Sequence, residues 1–275
     1  MLKKSFSTVG CMGLTYDQII SLCKKHCMEG VEIRMDNDDT VCGCKSEEEL
    51  RELKQAMSES KIKITNLGSS VCFMGYEKEK LQNVFKAIDI ASIVECNAVR
   101  IFLGNFSRKV NPDLPNPDYN GIVETLGECC DYAKKHNSQI WVETHNEFAT
   151  GKTLSKLVSD VNSPHLGIIW DIIHPIEDGE SIQETWNYIG DHVSHIHIKD
   201  GKKRLDKEWH DYEYTCLGEG ELPIESIINL AEKNGYKGFY SLEWESLWRD
   251  ELKLLDIPFD DVLEQYARFM NGAVK

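Results

Sequence analysis

Residues 139–200 read QIWVETHNEFATGKTLSKLVSDVNSPHLGIIWDIIHPIEDGESIQETWNYIGDHVSHIHIKD. Three short apolar runs stand out: QIWVETH (139–145), LGIIWDI (166–172) and VSHIHIKD (193–200). Each is rich in β-branched and aromatic residues and is bounded by Gly, Asn or Asp, which predicts a strand. TLSKLVSDV (153–161) and IQETWNYIGD (182–191) lie between them with helical spacing of their apolar residues. Strand, helix, strand, helix, strand is the pattern of a parallel sheet.

The same alternation continues outward in both directions. Upstream runs are SFSTVG (5–10), GVEIRM (30–35), IKITNLG (62–68) and AVRIFLG (98–104), and the last is GFYSLEWE (238–245). Helical segments separate them, including SEEELRELKQAMSES (46–60), YNGIVETLGECCDYAKKH (119–136) and IESIINLAEKNG (224–235), and DDVLEQYARFM (260–270) ends the series. Eight strand–helix units in 275 residues predict an α/β protein, a single (β/α)₈ barrel, a fold that takes about 250 residues. An open doubly wound sheet usually carries a Gly-rich phosphate loop after its first strand, and VGCMGLT (9–15) matches it poorly. No linker or low-complexity tract interrupts the chain, so residues 1–275 are read as one barrel domain. Two long stretches, KVNPDLPNPDY (109–119) and KKRLDKEWHDYEYTCLGEGELP (202–223), are read as loops over the catalytic face.

Alternate residues of a strand share a face. Glu143 therefore shares a face with Trp141 and His145, and Asp171 with Ile169. His195, His197 and Lys199 go together, as do Ser241, Glu243 and Glu245. The apolar alternates suit packing against the outer helices, which turns the polar set inward. A lone Glu at a strand end is commonly an ion-pair partner, and a lone His a hydrogen-bonded core residue. Three carboxylates and an imidazole reaching the same end of four consecutive strands are different, because converging negative charges repel unless compensated. Glu143, Asp171, His197 and Glu243 are accordingly read as ligands of one divalent metal ion. This oxygen-rich set favours Mn²⁺ first, with Zn²⁺, Co²⁺ or Mg²⁺ as alternatives.

VETH, WDIIH, HIHIKD and SLEWE, in this order, resemble the xylose-isomerase-like sugar phosphate isomerase/epimerase superfamily, inosose isomerase-type and ketose 3-epimerase-type members included. The resemblance runs from GVEIR to the last helix. It implies that Glu143 and Glu243 ligate the metal and also move protons, that Asp171 and His197 ligate it, and that His174 contacts substrate oxygens. A metal chelated by two adjacent sugar oxygens acidifies the C–H beside the carbonyl. One carboxylate then takes that proton to give an enediolate, and return to the other face or the next carbon completes an epimerisation or isomerisation. Loss of hydroxide instead makes an inosose-type dehydratase. The pattern departs where ketose 3-epimerases place a substrate-anchoring arginine, since this chain has Lys203 there. Glu219, in CLGEGELP (216–223), is a further candidate.

Other candidate substrate-binding residues are His145, Lys199, Glu32 and Arg34. Glu32 and Arg34 share a face and either bind substrate hydroxyls or pair with each other. Lys199 either meets the substrate or neutralises Asp200 or Glu219. Trp141, Phe102 and Trp244 are read as packing residues, with stacking on a sugar as the alternative for Phe102 near its strand end.

The formal charge of −15, from 46 acidic and 31 basic residues, disfavours nucleic acid as a partner. An abasic-site endonuclease of the endonuclease IV type would also need histidines at the ends of the third and fourth strands, which here read NLGSSV and FLGNF. A non-catalytic scaffold has no use for clustered carboxylates. The N-terminal stretch has no long apolar run, and no stretch approaches the roughly 18 apolar residues of a membrane span. The expected partner is a small carbohydrate, with a homodimer or homotetramer also expected, in the cytoplasm. The ten cysteines show no zinc-site spacing and are read as reduced, mostly buried thiols.

Overall fold

The computed structural model describes residues 2–35, 40–106, 111, 113–205 and 211–273. Its strands, in chain order, are β1 (Lys3–Ser7), β2 (Gly30–Arg34), β3 (Lys63–Phe73), β4 (Ala98–Leu103), β5 (Gln139–Glu143), β6 (Leu166–Asp171), β7 (Val193–Ile198), β8 (Asp200–Lys203), β9 (Tyr212–Thr215) and β10 (Phe239–Leu242). Eight of them close a barrel in the order β1-β10-β7-β6-β5-β4-β3-β2, every pair parallel. This is the (β/α)₈ barrel read from the strand–helix alternation. β4 and β6 are buried along their whole length, as expected for parallel strands covered on both faces.

The helices are α1 (Tyr16–His26), α2 (Glu47–Glu59), α3 (Lys78–Ile93), α4 (Tyr119–Lys135), α5 (Gly151–Val161), α6 (Ile173–Glu177), α7 (Ile182–Ile189), α8 (Ile224–Lys233), α9 (Asp250–Leu254) and α10 (Phe259–Gly272). Their starts follow local chemistry. Thr15, Ser46 and Ser181 each accept a hydrogen bond from the amide three residues on, and Gln18, Glu49 and Glu184 reach back to complete capping boxes. The main apolar core lies between the barrel wall and these helices. A separate small cluster of Ala98, Trp141 and Ile169 is buried apart from it, on the face that strand parity turns inward. Trp141 stacks there on His195 at 5.6 Å between ring centroids. All ten cysteines are unpaired, and six are buried; burial pushes the Cys23 and Cys96 thiols up to about 12.

Two expectations change. The first run begins earlier, and Thr8–Cys11 is a short 3-10 turn capped by Ser7 rather than strand. The 202–223 stretch is not a plain loop, because β8 and β9 pair antiparallel within it, Asp200 opposite Thr215 and Lys203 opposite Tyr212. Residues 206–210 of that stretch, and 109, 110 and 112 of the earlier one, lie outside the described residues.

Asp200 holds the hairpin to the barrel. Its buried carboxylate accepts hydrogen bonds from the backbone amides of Gly201 (2.8 Å), Gly218 (2.9 Å), Gly220 (3.0 Å) and Leu222 (3.3 Å). Gly220 is required by this approach, since a Cβ there would collide with the Asp200 carboxylate. An orphaned buried N–H costs about 1–3 kcal/mol. Asp200→Ala is therefore expected to lower stability by roughly 3 kcal/mol or more, read as a lower urea midpoint at unchanged slope. A variant with the wild-type midpoint would show that these bonds do not anchor the hairpin.

Candidate metal centre

Four adjacent barrel strands deliver the candidate ligands. Glu143 ends β5, Asp171 ends β6, His197 lies one residue before the end of β7, and Glu243 follows β10 directly. Register sets their height: His197 pairs with Asp171 on one side and Ser241 on the other, while the Glu243 amide donates to the Ile198 carbonyl at 3.1 Å. One ligating atom from each of the four lies within 4.8 Å of the other three, and all four residues are buried.

The tautomer of His197 is set from behind. Its Nε2 lies 2.7 Å from Glu32 Oε2, and Glu32 is fully buried. That bond leaves Nδ1 pointing at the carboxylates, 3.4 Å from Glu243 and 3.7 Å from Glu143, buried and with no hydrogen bond of its own. Asp171 Oδ2 is likewise buried without a hydrogen bond of normal geometry, although Lys199 Nζ lies 2.7 Å away. A buried imidazole nitrogen and a buried carboxylate oxygen facing one point are what a cation would satisfy. A carboxylate behind a ligating histidine is the usual support for such a bond. The donor set fits one divalent ion.

The carboxylates are not bare, and here the reading from sequence was incomplete. Arg100, which shares a strand face with Ala98 and Phe102, reaches into the cluster. Its Nη1 donates to Glu143 Oε2 at 2.8 Å and lies 3.5 Å from Glu243 and 3.8 Å from Glu32. Gly68 leaves room for this meeting, since a Cβ there would approach Glu32 Oε1 at 3.0 Å and Arg100 Nη2 at 3.2 Å. Lys199 bridges Asp171 and Glu243 at 2.7 and 2.5 Å, so it pairs with neither Asp200 nor Glu219. Burial alone would raise the carboxyl pKa values. His197 outweighs it for Glu32, which sits at about 2; Lys199 does so for Asp171, and His197 with Lys199 for Glu243, both of which are held well down. Against the same burial, Glu243 and Glu32 hold the His197 pKa well up.

A cavity of about 390 Å³ opens above the cluster, lined by Val9, Arg34, Ser70, Arg100, Phe102, Phe106, Glu143, His145, Glu243, Glu245, Trp248 and Arg249. Its volume falls in the range of small-molecule sites. Glu143 and Glu243 face it, whereas Asp171 and His197 stand behind them. His174 lies 3.3 Å from Asp171 and packs on His145 at 4.2 Å. Asp171 and Glu177 overcome burial to lift His174 to about 10. Burial and that neighbouring charge keep His145 neutral.

Glu32 and Arg34 do not pair. Glu32 turns to His197 and Arg100, and Arg34 turns to Ser70. Lys203 is exposed on the hairpin and Glu219 is exposed beside Leu217, Glu225 and Arg268; neither lines the cavity. Arg100 and Arg249 were missed. Arg100 carried a signal, a lone charge on the inward parity of an apolar strand. Arg249 carried none, because its place depends on Tyr214, whose hydroxyl it contacts at 2.7 Å, and on Glu245 at 3.4 Å.

The family profile described as Xylose isomerase-like TIM barrel matches residues 20–257. The chain is 24% identical over 182 residues to fructoselysine 3-epimerase of Shigella flexneri, covering 64% of this chain and 63% of that protein. It is 22% identical over 145 residues to inosose dehydratase of Clostridium perfringens, covering 48% and 49%. The chain thus spans 63% and 49% of the length of these two relatives. The solved IOLI protein with a bound zinc atom superposes with a TM-score of 0.79 at 17% identity, covering 99% of this chain and 98% of that one. No helix among the described residues is long and apolar enough to cross a membrane.

Removing the carboxylate behind a ligating histidine typically weakens metal binding about 10- to 100-fold. Glu32→Ala is expected to weaken Mn²⁺ binding by that factor in an isothermal titration. Glu32→Gln, whose amide oxygen still accepts from Nε2–H, should fall between it and wild type. Equal affinities in all three proteins would remove Glu32 from the metal centre.

Proposed function

The chain belongs to the xylose isomerase-like TIM barrel family, and within it we propose that this protein is a divalent-metal-dependent sugar isomerase or epimerase. Its substrate on this reading is a ketose, a sugar phosphate or a cyclic polyol ketone. One observation carries the proposal: of the four candidate ligands, only Glu143 and Glu243 also line the cavity. Two residues hold; two hold and face the substrate.

The cation, for which Mn²⁺ is the first expectation and the zinc-bound relative keeps Zn²⁺ open, would polarise the substrate carbonyl and acidify the adjacent C–H. Glu143 and Glu243 then divide the proton work. They rise from β5 and from the end of β10, with β6 and β7 between them in the barrel order, so they can flank a bound carbon chain. One accepts the proton and leaves an enediolate. Return of a proton to the opposite face of the same carbon is epimerisation, and return to the neighbouring carbon is isomerisation. Arg100, hydrogen-bonded to Glu143, holds that carboxylate in place. Phe102, Phe106 and His145 pack edge to face at 5.1–5.2 Å and give the cavity one apolar wall, which suits the C–H face of a sugar.

Elimination of water is the second reading: the carboxyl that takes the first proton could return it to a departing hydroxide, releasing water from the same pair of Glu143 and Glu243. The inosose dehydratase relative is consistent with either outcome from one scaffold.

In deuterium oxide, the metal-supplemented protein is expected to place deuterium on the carbon beside the carbonyl of its substrate, read by NMR over panels of ketoses, their phosphates and keto-inositols. Glu143→Gln and Glu243→Gln should each lower that exchange at least about 100-fold, the scale of lost general acid–base catalysis, while circular dichroism stays unchanged. Near-wild-type exchange in both variants would refute the assignment. A product lacking the elements of water would select the elimination reading.

A further inference from the structure

The cavity has a second recognition element at its rim. Arg34 ends β2 and lines the same cavity as Glu143 and Glu243. Among the described residues it is the one basic side chain of that lining with no carboxylate partner: Arg100 meets Glu143 and Arg249 meets Glu245. Arg34 is nevertheless held firmly. Its backbone amide donates to Thr8 Oγ1 at 2.8 Å, its Nη2 donates to Ser70 Oγ at 2.6 Å, and its guanidinium lies 4.9 Å from the Trp248 ring centroid. Ser70 and Trp248 are themselves lining residues.

A guanidinium carries five N–H donors and stays charged, so one hydroxyl leaves most of its capacity unused. Burial and the nearby charge of Arg100 oppose its positive charge, the more distant carboxylates of Glu243, Glu32 and Glu143 offset them in part, and none of the three forms an ion pair with it.

We propose that Arg34 binds an anionic group of the substrate, a carboxylate or a phosphate ester, at the end of the carbon chain remote from the oxygens held near Glu143 and Glu243. The substrate class is thereby an acidic or phosphorylated ketose rather than a neutral one. Arginine suits the task because its planar fork matches both groups with paired hydrogen bonds. The Trp248 ring fixes the fork before the ligand arrives, so little side-chain entropy is lost on binding. This inference rests on reading the cavity as a ketose site, and it adds what that site selects.

Equilibrium binding separates the two levels. Three probes sharing one carbon skeleton are titrated into the Mn²⁺-supplemented full chain: a neutral ketohexose, its terminal phosphate ester and the corresponding ketohexuronate. At least one anionic probe is expected to bind about tenfold or more tightly than the neutral one, a typical value for an added charge-assisted hydrogen bond. The tighter anion identifies the group. Arg34→Gln should bring that ratio close to one, and Arg34→Lys should keep part of it. Lys203→Gln, altered on the exposed hairpin outside the cavity, should keep all of it. A neutral probe binding as well as both anions, an anion preference that survives Arg34→Gln, or no binding of either anion overturns the proposal. Metal-dependent deuterium exchange on neutral ketoses alone would sink this inference and leave the isomerase reading standing. Arg34-dependent anion binding without exchange would do the reverse.

Discussion

Four carboxylates, those of Glu32, Glu143, Asp171 and Glu243, are buried together at one end of the barrel, and the structure around them is shaped by the need to offset their charge. Two like charges about 4 Å apart repel by roughly 4 kcal/mol at an effective dielectric constant near 20. A group of four cannot persist as anions without local compensation. Arg100 and Lys199 are placed by the parity of β4 and by the end of β7 to supply it, and His197 and His174 carry protons for the same reason. The compensation is divided, which matters for function. Arg100 lies on the side of Glu143 and Glu32, while Lys199 bridges Asp171 and Glu243. A divalent cation held by the four candidate ligands would take the place of the proton on His197 and would share Asp171 and Glu243 with Lys199.

Under the proposed function, this organisation would separate holding from reacting. Glu32 orients His197 from within the barrel, and Asp171 receives His174 and Lys199; none of these contacts occupies the cavity face. Glu143 and Glu243 face both ways. Above them the wall divides into an aromatic side, with Phe102, Phe106 and His145, and a cationic side, with Arg34 against Trp248. On the proposed reading, chemistry would be set at the floor by strand ends, and selection at the rim by a strand end and the segment after β10. That division suits a family whose members, among them an epimerase and a dehydratase, keep one barrel.

Much of this was legible in the sequence. The eight strands lie within a few residues of the apolar runs, because a parallel strand covered on both faces must be almost wholly apolar. The four candidate ligands were legible because a charge on the inward parity of such a strand has few places to go. The same rule applied to Arg100, but one basic residue inside AVRIFL looks unremarkable until Glu143 and Glu32 are seen beside it. Lys203 was read as a substrate anchor by its spacing from His197, and the β8–β9 pairing carries it outward into water. Its spacing was measured along the chain, whereas its direction is set by the hairpin. Glu32 and Arg34 were read either as ligands of substrate hydroxyls or as partners of each other, because they share a face. The stronger claim of His197 on Glu32, across the barrel, cannot be seen from β2 alone.

The most direct test is to locate the ion. A crystal grown with Mn²⁺ should show, in anomalous difference density, a single peak bounded by carboxylate oxygens of Glu143, Asp171 and Glu243 and by Nδ1 of His197. Glu32 should remain on Nε2 and outside the coordination sphere. No peak at that point, or a peak held by Glu32, His195 and His197, the other buried group among the described residues whose donors lie close enough to share an ion, would contradict the account.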